Sequence, residues 1–371
     1  MTEKLRIKPQ ERLLSLDTLR GLDMLLLVGL TGLIKTICDK FDFFGNDWLF
    51  DQMLHVGWEG FRVHDFIFPF FIFLSGVSIP YSISSKLEKG VAKIELLKKI
   101  SIRMVLLVGL GIIYNGATEK GFSDARFASV LGQIGISYFI AALVFIYSKE
   151  FKTKLYWLAG LILSISILQL FVPVPGHGSG TFERATSINA WFDSILTPGR
   201  LHGTDYDPEG FLCVISAASI TIMGAFIGYI VRSFDMKGEK KSMVIALVGL
   251  SLIVLSLLLI PVYPMIKKMW TIPFNLLTAG IGSLLFAIFY FIIDVKGFKK
   301  WTLLFSVFGM NSITIYLLCK FVSFGRISSG LFGWIAIPFG EYSGIIIGIG
   351  VIIVQWALLY MMYKKKIFLR V

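Results

Sequence analysis

Ten apolar stretches recur along the chain, near 21–37, 64–84, 102–115, 129–148, 155–172, 211–231, 242–262, 272–293, 302–322 and 341–363. Most approach the roughly twenty residues needed to cross the hydrocarbon of a bilayer. None alternates strictly between apolar and polar positions, which predicts helices rather than the strands of a barrel. The polar intervals carry a second pattern. Of the 36 Lys and Arg, 25 fall in one set of loops, from Arg20 and the residues before it through Lys86–Arg103, Lys149–Lys154, Arg232–Lys241 and Lys296–Lys300 to the C-terminal run. The opposite loops hold nine (Lys40, Arg62, Lys120, Arg126, Arg184, Arg200, Lys267, Lys268 and Arg326), and Lys35 and Lys320 sit at helix ends. A bias that alternates loop by loop predicts an even number of helices with both termini cytoplasmic.

The expected fold is therefore an all-α polytopic membrane protein, a single transmembrane domain over 1–371 with no appended soluble domain. About twenty polar, basic residues precede the first apolar run and no small-residue cleavage site follows it, so that run is expected to be a retained helix. Composition agrees: 56% of residues are hydrophobic and 16% charged, against about 25% charged in soluble domains. The net charge of +12 would raise nucleic acid as a partner in a soluble protein. Here the cations belong to the loop pattern, and no nucleic acid is expected. Cys38, Cys213 and Cys319 are dispersed and form no C-x-x-C, which gives neither a disulfide framework nor a metal site.

On the non-cytoplasmic side lie the two longest loops, 38–63 and 173–210, and all four histidines. Loops of such length are usually functional. His55 precedes Asp65 by ten residues, where a polar loop runs into an apolar helix. A carboxylate bound to one imidazole nitrogen fixes the tautomer and leaves the other nitrogen as a base. Against this stands the plainer reading of Asp65 as a helix cap and of His55 as an interfacial polar residue, with His64 a competitor for the role. A second cluster, Asp207 and Glu209 in YDPEG, reads either as a helix start with Pro in its first turn or as an acidic lip beside His202. A third set is polar at membrane depth: Asp17, Arg20, Asp23, Asn115 and Asn311. Such groups usually face a cavity or a partner, and Asp17 can pair with Arg20 at i, i+3. No Walker loop, H-E-x-x-H or G-x-S-x-G occurs, and no metal-ligand spacing is seen, so no metal is expected.

These segments resemble the transmembrane acyltransferase family of heparan-α-glucosaminide N-acetyltransferase and its bacterial relatives. LLSLDTLRGLDMLLLVGL is similar to the family's opening, and HVGWEGFRVHDFIFPFFIFLSGVSI to its "H-x-x-W-x-G-x-x-x-x-D-x-x-F-P" core. YDPEG, KKMWTIPFNLLTAG and DVKGFKKWTLLFSVFGMNSITIYL resemble later markers. The resemblance implies ten helices in a bacterial inner membrane and acetyl transfer from cytoplasmic acetyl-CoA to an amino sugar or oligosaccharide on the far side. It places the catalytic histidine at His55 and its aspartate at Asp65, with Trp58 on the substrate side.

CoA is polyanionic, so its phosphates are expected near the cytoplasmic face beside Arg20, Lys99 or Arg103. Asn115 and Asn311 are candidate donors to the reacting carbonyl oxygen, and Asp207, Glu209 and His202 candidate holders of sugar hydroxyls. Thr31, Glu59 and Gln133 stand where the family has asparagine, asparagine and arginine, which bears on the acceptor. Two other readings stay open, an O-acetyltransferase of an envelope polysaccharide and a sugar or amino-sugar transporter, although no inverted repeat is apparent. A homodimer is compatible with the sequence.

Overall fold

The computed structural model describes residues 13–41, 47–117, 121 and 124–368. The expected positions Lys4, Arg6, Lys8, Arg12, Lys120 and Arg370, and part of the loop 38–63, lie outside them. The chain forms an all-α polytopic membrane protein. Its helices are α1 (Leu14–Cys38), α2 (Asp47–Gln52), α3 (Val63–Glu88), α4 (Lys93–Tyr114), α5 (Val130–Tyr147), α6 (Phe151–Phe171) and α7 (Ile188–Leu196). There follow α8 (Phe211–Ser233), α9 (Gly238–Leu259), α10 (Ile272–Val295), α11 (Thr302–Met310), α12 (Ser312–Phe321), α13 (Phe324–Ala336) and α14 (Ser343–Lys364). Among the described residues no strand forms, only two isolated bridges, Arg126 with Gly199 and Val174 with Gly178.

Helix α8 is the hub. It is enclosed on nearly all faces and packs on α3, α5 and α10. Water supplies no drive for helix association inside a bilayer, so close approach of backbones through small residues supplies it. A Cβ added at Gly224 would meet Phe73 O at 2.1 Å, one at Gly228 would meet Val77 O at 2.2 Å, and one at Gly76 would meet Thr221 O at 2.0 Å. These contacts clamp α8 to α3, the helix whose first turn carries Asp65. Gly21 and Gly309 join α1 to α11 in the same way.

Each of the ten expected stretches is helical, and one differs in form. The stretch 302–322 is not one rod: α11 and α12 meet at 71° across Asn311. The crossing instead runs on through α13, a helix the hydropathy pattern does not reveal. Asn311 Nδ2 donates to Ile367 O, Gln355 Nε2 contacts Cys319 Sγ, and Ser328 Oγ donates to Ile347 O. As one chain number rises the other falls, so α12 and α13 run antiparallel to α14, with α13 packed along it. Gly340 (φ 54, ψ −118) makes the turn between them. Lys40 with Glu341 at 3.9 Å and the stacked rings of Phe41 and Tyr342 set that turn beside the end of α1.

The opposite ends gather on the other face. Leu14 N and Ser15 N, at the start of α1, donate to Asp294 near the end of α10. Arg232 grips Glu88 there, with Nη1 2.8 Å from Oε1.

Substituting Gly76→Val should force α3 and α8 apart and cost about 1–3 kcal/mol. Gly160→Ala, where no atom lies within 4 Å of the added Cβ, should leave stability unchanged or slightly raised. Thermal melts of the detergent-purified variants read both.

Candidate active site

The mouth of α3 holds a carboxylate surrounded by donors. Arg62, in extended backbone, caps the helix, and Asp65 stands at its third position, where the positive end of the helix dipole favours an anion. Asp65 Oδ2 accepts from Val56 N at 3.1 Å and Arg62 N at 3.2 Å. The other oxygen, Oδ1, lies 2.8 Å from His55 Nδ1 and accepts from Lys267 Nζ at 3.2 Å. The plain helix-capping reading and the imidazole-orienting reading thus describe the two oxygens of one group.

The Asp65 side chain is 1% exposed and that of His55 54%. With Asp65 ionised among so many donors, the short contact to Nδ1 needs a proton between the atoms, and that proton belongs to the imidazole. Nε2 then lies on the side of the ring away from the carboxylate, on a side chain that is open to its surroundings. His64 lies beside it, ring centroids 4.3 Å apart, and its Nδ1 is buried with no hydrogen-bond partner among the described residues.

Loops from three parts of the chain fix this mouth. Gly60, at φ +116, donates its N–H to Met265 O at 2.9 Å, which ties the histidine loop to the α9–α10 connection. Arg184 Nη2 at 3.2 Å and Lys268 Nζ at 2.7 Å both donate to Gly57 O. Trp58 Nε1 donates to Phe182 O at 2.7 Å, and its ring meets Tyr206 edge-on. A shallow cavity of about 370 Å³ opens here, lined by Trp58, Glu59, Phe182, Glu183, Arg184 and Ile266.

The second expected cluster is committed to holding the loop. Arg126 Nε donates to Asp207 Oδ2 at 2.7 Å, and its Nη2 reaches both Asp207 Oδ1 and Glu209. Asp207 also accepts from His202 N and Glu209 N and is 1% exposed. Its oxygens are taken, so it builds the entry to α8 and does not project as a lip. Asp193 accepts from Asp207 N and Phe211 N in turn. Burial pushes the Asp193 carboxyl up to about 6, against those two backbone bonds. Burial also pushes Glu209 up, against the charge of Arg126. For Arg126 itself, burial is outweighed by the Asp207 hydrogen bond and the two carboxylate charges, which keep the guanidinium protonated. The His202 side chain stays exposed.

The remaining candidates separate. Asn115 donates to Arg126 O and Ala128 O and so positions the Arg126 segment. The Asn311 amide donates to Ile367 O, just past the end of α14. Of the basic candidates, Arg20 donates to Leu74 O in α3, and Arg103 lies 4.5 Å over the Tyr138 ring with its Nε buried and unpartnered among the described residues. Lys99 is exposed and engaged with Glu95 at 2.5 Å, so it does not share their interior position. No cluster of three metal-ligating side chains occurs among the described residues.

Two residues at the site went unselected in the sequence, Lys267 and Arg126. Both belong to the nine cations on the cation-poor side, and a lysine pair in so short a connection was the available sign.

A family model described as "Domain of unknown function (DUF5009)" matches residues 12–186. The chain is 26% identical over 419 residues to heparan-alpha-glucosaminide N-acetyltransferase of Mus musculus, covering 97% of this chain and 60% of that protein. It is 27% identical over 364 residues to the Homo sapiens protein of the same name, covering 82% and 52%. The chain thus spans only half to three-fifths of the length of these curated relatives. The resemblance to the transmembrane acyltransferase family read from the motifs is borne out by these matches.

Replacing Arg126 by Gln would strand two buried carboxylates at a cost of about 3–5 kcal/mol. A carboxyl raised by burial contributes stability below its ordinary titration range and loses it as pH rises through the raised value. Arg126→Gln should therefore melt lower than wild type at pH 8 and recover part of the deficit at pH 5. Melting curves at the two pH values decide it.

Proposed function

We propose that this chain is an integral membrane acyltransferase that moves acetyl from cytoplasmic acetyl-CoA to an amino sugar on the opposite face, with His55 as general base. The observation that carries the reading is the 2.8 Å contact of His55 Nδ1 with buried Asp65, from a side chain that is open to its surroundings. The similarity to two curated N-acetyltransferases supports the reaction class. The cation bias of the loops supports the sidedness.

The chemistry follows from that geometry. The amine nitrogen of the acceptor attacks the thioester carbonyl while His55 Nε2 removes its proton. A C–N bond forms, the C–S bond breaks, and the CoA sulfur leaves as the imidazolium returns the proton. Asp65 keeps Nδ1 protonated and offsets the transient positive charge. A positioned base of this kind contributes about 10²–10⁴-fold. An acetyl-imidazole route would use the same Nε2.

Donor and acceptor arrive from different sides. Arg20 and Arg103, with the unpartnered Nε of the latter, are the basic groups inside the bundle suited to CoA phosphates, and the uncharged pantetheine arm would extend from them toward His55. Trp58, with Glu59 and Glu183 at the edge of its cavity, offers an apolar face and hydrogen-bond acceptors to a sugar. In this reading Asp207 and Glu209 act by shaping the acceptor side.

Incubating purified protein with labelled acetyl-CoA and a panel of amino sugars and oligosaccharides should give a product stable to mild base, as an amide is; a base-labile ester would move the assignment to O-acetylation. His55→Ala should lower the rate at least about 10²-fold, with a melting curve showing that the variant still folds. Full activity in that variant removes His55 from the mechanism.

A further inference from the structure

We propose that Lys267 is a positioning residue for the His55–Asp65 pair: its ammonium, 3.2 Å from both Asp65 Oδ1 and His55 Nδ1, is the standing counter-ion of the carboxylate, so that the imidazole need not carry charge at rest. The inference rests on the reading of His55 as the base. A lone carboxylate against an imidazole draws a proton onto the ring, because opposite charges at such distance favour each other's ionised form. A protonated ring has no lone pair with which to accept a proton from an amine. A lysine bound to the same oxygen removes that pull while leaving the hydrogen bond that fixes the tautomer.

The placement is built into the fold. Lys267 sits in a short 3-10 turn, Lys267–Met269, followed by Trp270 in the left-handed region at φ 50. A non-glycine residue held there needs strong surroundings, and they are present. Trp270 is almost fully buried, its Nε1 donates to Pro208 O at 2.8 Å, and its carbonyl accepts from Ser216 Oγ at 2.6 Å. Thr271 Oγ1 accepts from Ile266 N, and Met269 O accepts from both Gln169 and Asn189. Four elements therefore brace the turn that delivers one ammonium. The Lys267 side chain is 13% exposed, and burial pulls its titration down from the ordinary lysine range, opposed by Asp65.

The charged and titratable groups around the pair are few. From the α3 end come Asp65, His64 and Arg62, whose Nη1 approaches His55 O and whose Nη2 reaches Asp51. From the same turn comes Lys268, turned toward Gly57 O and the Trp58 ring. From the entry to α8 comes Glu209, already held by Arg126. Lys267 is the cation that contacts both members of the pair.

The test follows the imidazole directly. The chain has four histidines, so in protein labelled at histidine Cε1 the His55 resonance is assigned by its loss in His55→Gln. In Lys267→Met the pH at which that resonance shows proton uptake should move up by about one unit or more, whereas Lys267→Arg should stay near wild type. The acid limb of kcat/KM for acetyl transfer should move in the same direction, with KM for acetyl-CoA unchanged. Should Lys267→Met fail to fold, Lys267→Gln, which keeps a donor to Asp65 without the charge, carries the same expectation. An identical His55 titration in wild type and in the uncharged variant overturns the proposal. Absence of acetyl transfer by the wild type would instead overturn the proposed function, and the resonance would still decide the role of Lys267.

Discussion

A single buried carboxylate organises the face of the molecule that carries the candidate site. Asp65 takes hydrogen bonds from two backbone amides and a lysine and contacts an imidazole, and these come from the histidine loop, the helix mouth and the α9–α10 turn. A charge removed from water is costly unless every lone pair is answered. None of the three segments can satisfy it alone, so each is held in place by the requirement of the other two. The position of His55 follows from that requirement: the imidazole is part of what makes the carboxylate tolerable at the mouth of an apolar helix.

A second ionic centre, Arg126 with Asp207 and Glu209, does the same for the entry to α8. The two are mechanically joined. Pro208, between the two acids, accepts from the Trp270 indole, and Trp270 closes the turn that presents Lys267. A loop that looks like an acceptor-binding lip in the sequence thus also determines where an ammonium stands three residues before Trp270. Loss of Arg126 would be felt at His55 through this chain of contacts, which share no residue with the reacting atoms.

The sequence announces what the bilayer dictates. Hydrocarbon thickness sets the length of an apolar run, and the ten runs all became helices. It conceals what depends on local geometry. A hydropathy window sums across Asn311 and cannot register a 71° bend there. It also passes over α13, whose Gly325, Arg326, Ser328, Ser329 and Gly330 dilute the apolar average although the helix packs along α14. Hydropathy likewise reports that a polar residue is at membrane depth without saying which groups it faces. The juxtaposition of His55 and Asp65 was readable, since both flank one helix start. Lys267 was not, being more than two hundred residues away in sequence, and neither was the commitment of Asp207 to Arg126, 81 residues upstream.

The nine cations on the cation-poor side tie these points together. Counted as topology markers they are exceptions to a rule; as side chains, six of them have definite partners. Lys40 meets Glu341, Arg62 meets Asp51, Arg126 meets Asp207 and Glu209, and Lys267 meets Asp65. Arg184 and Lys268 converge on Gly57 O and the Trp58 ring. Two of these partners are carboxylates with almost no exposure, Asp65 and Asp207, and a buried anion is a reason to keep a cation where the loop bias would discard it. In a polytopic protein, then, basic residues that break the charge asymmetry deserve to be read as local electrostatic necessities. Here that criterion, applied to a short lysine pair before a tryptophan, leads to the histidine at the helix mouth without reference to any motif.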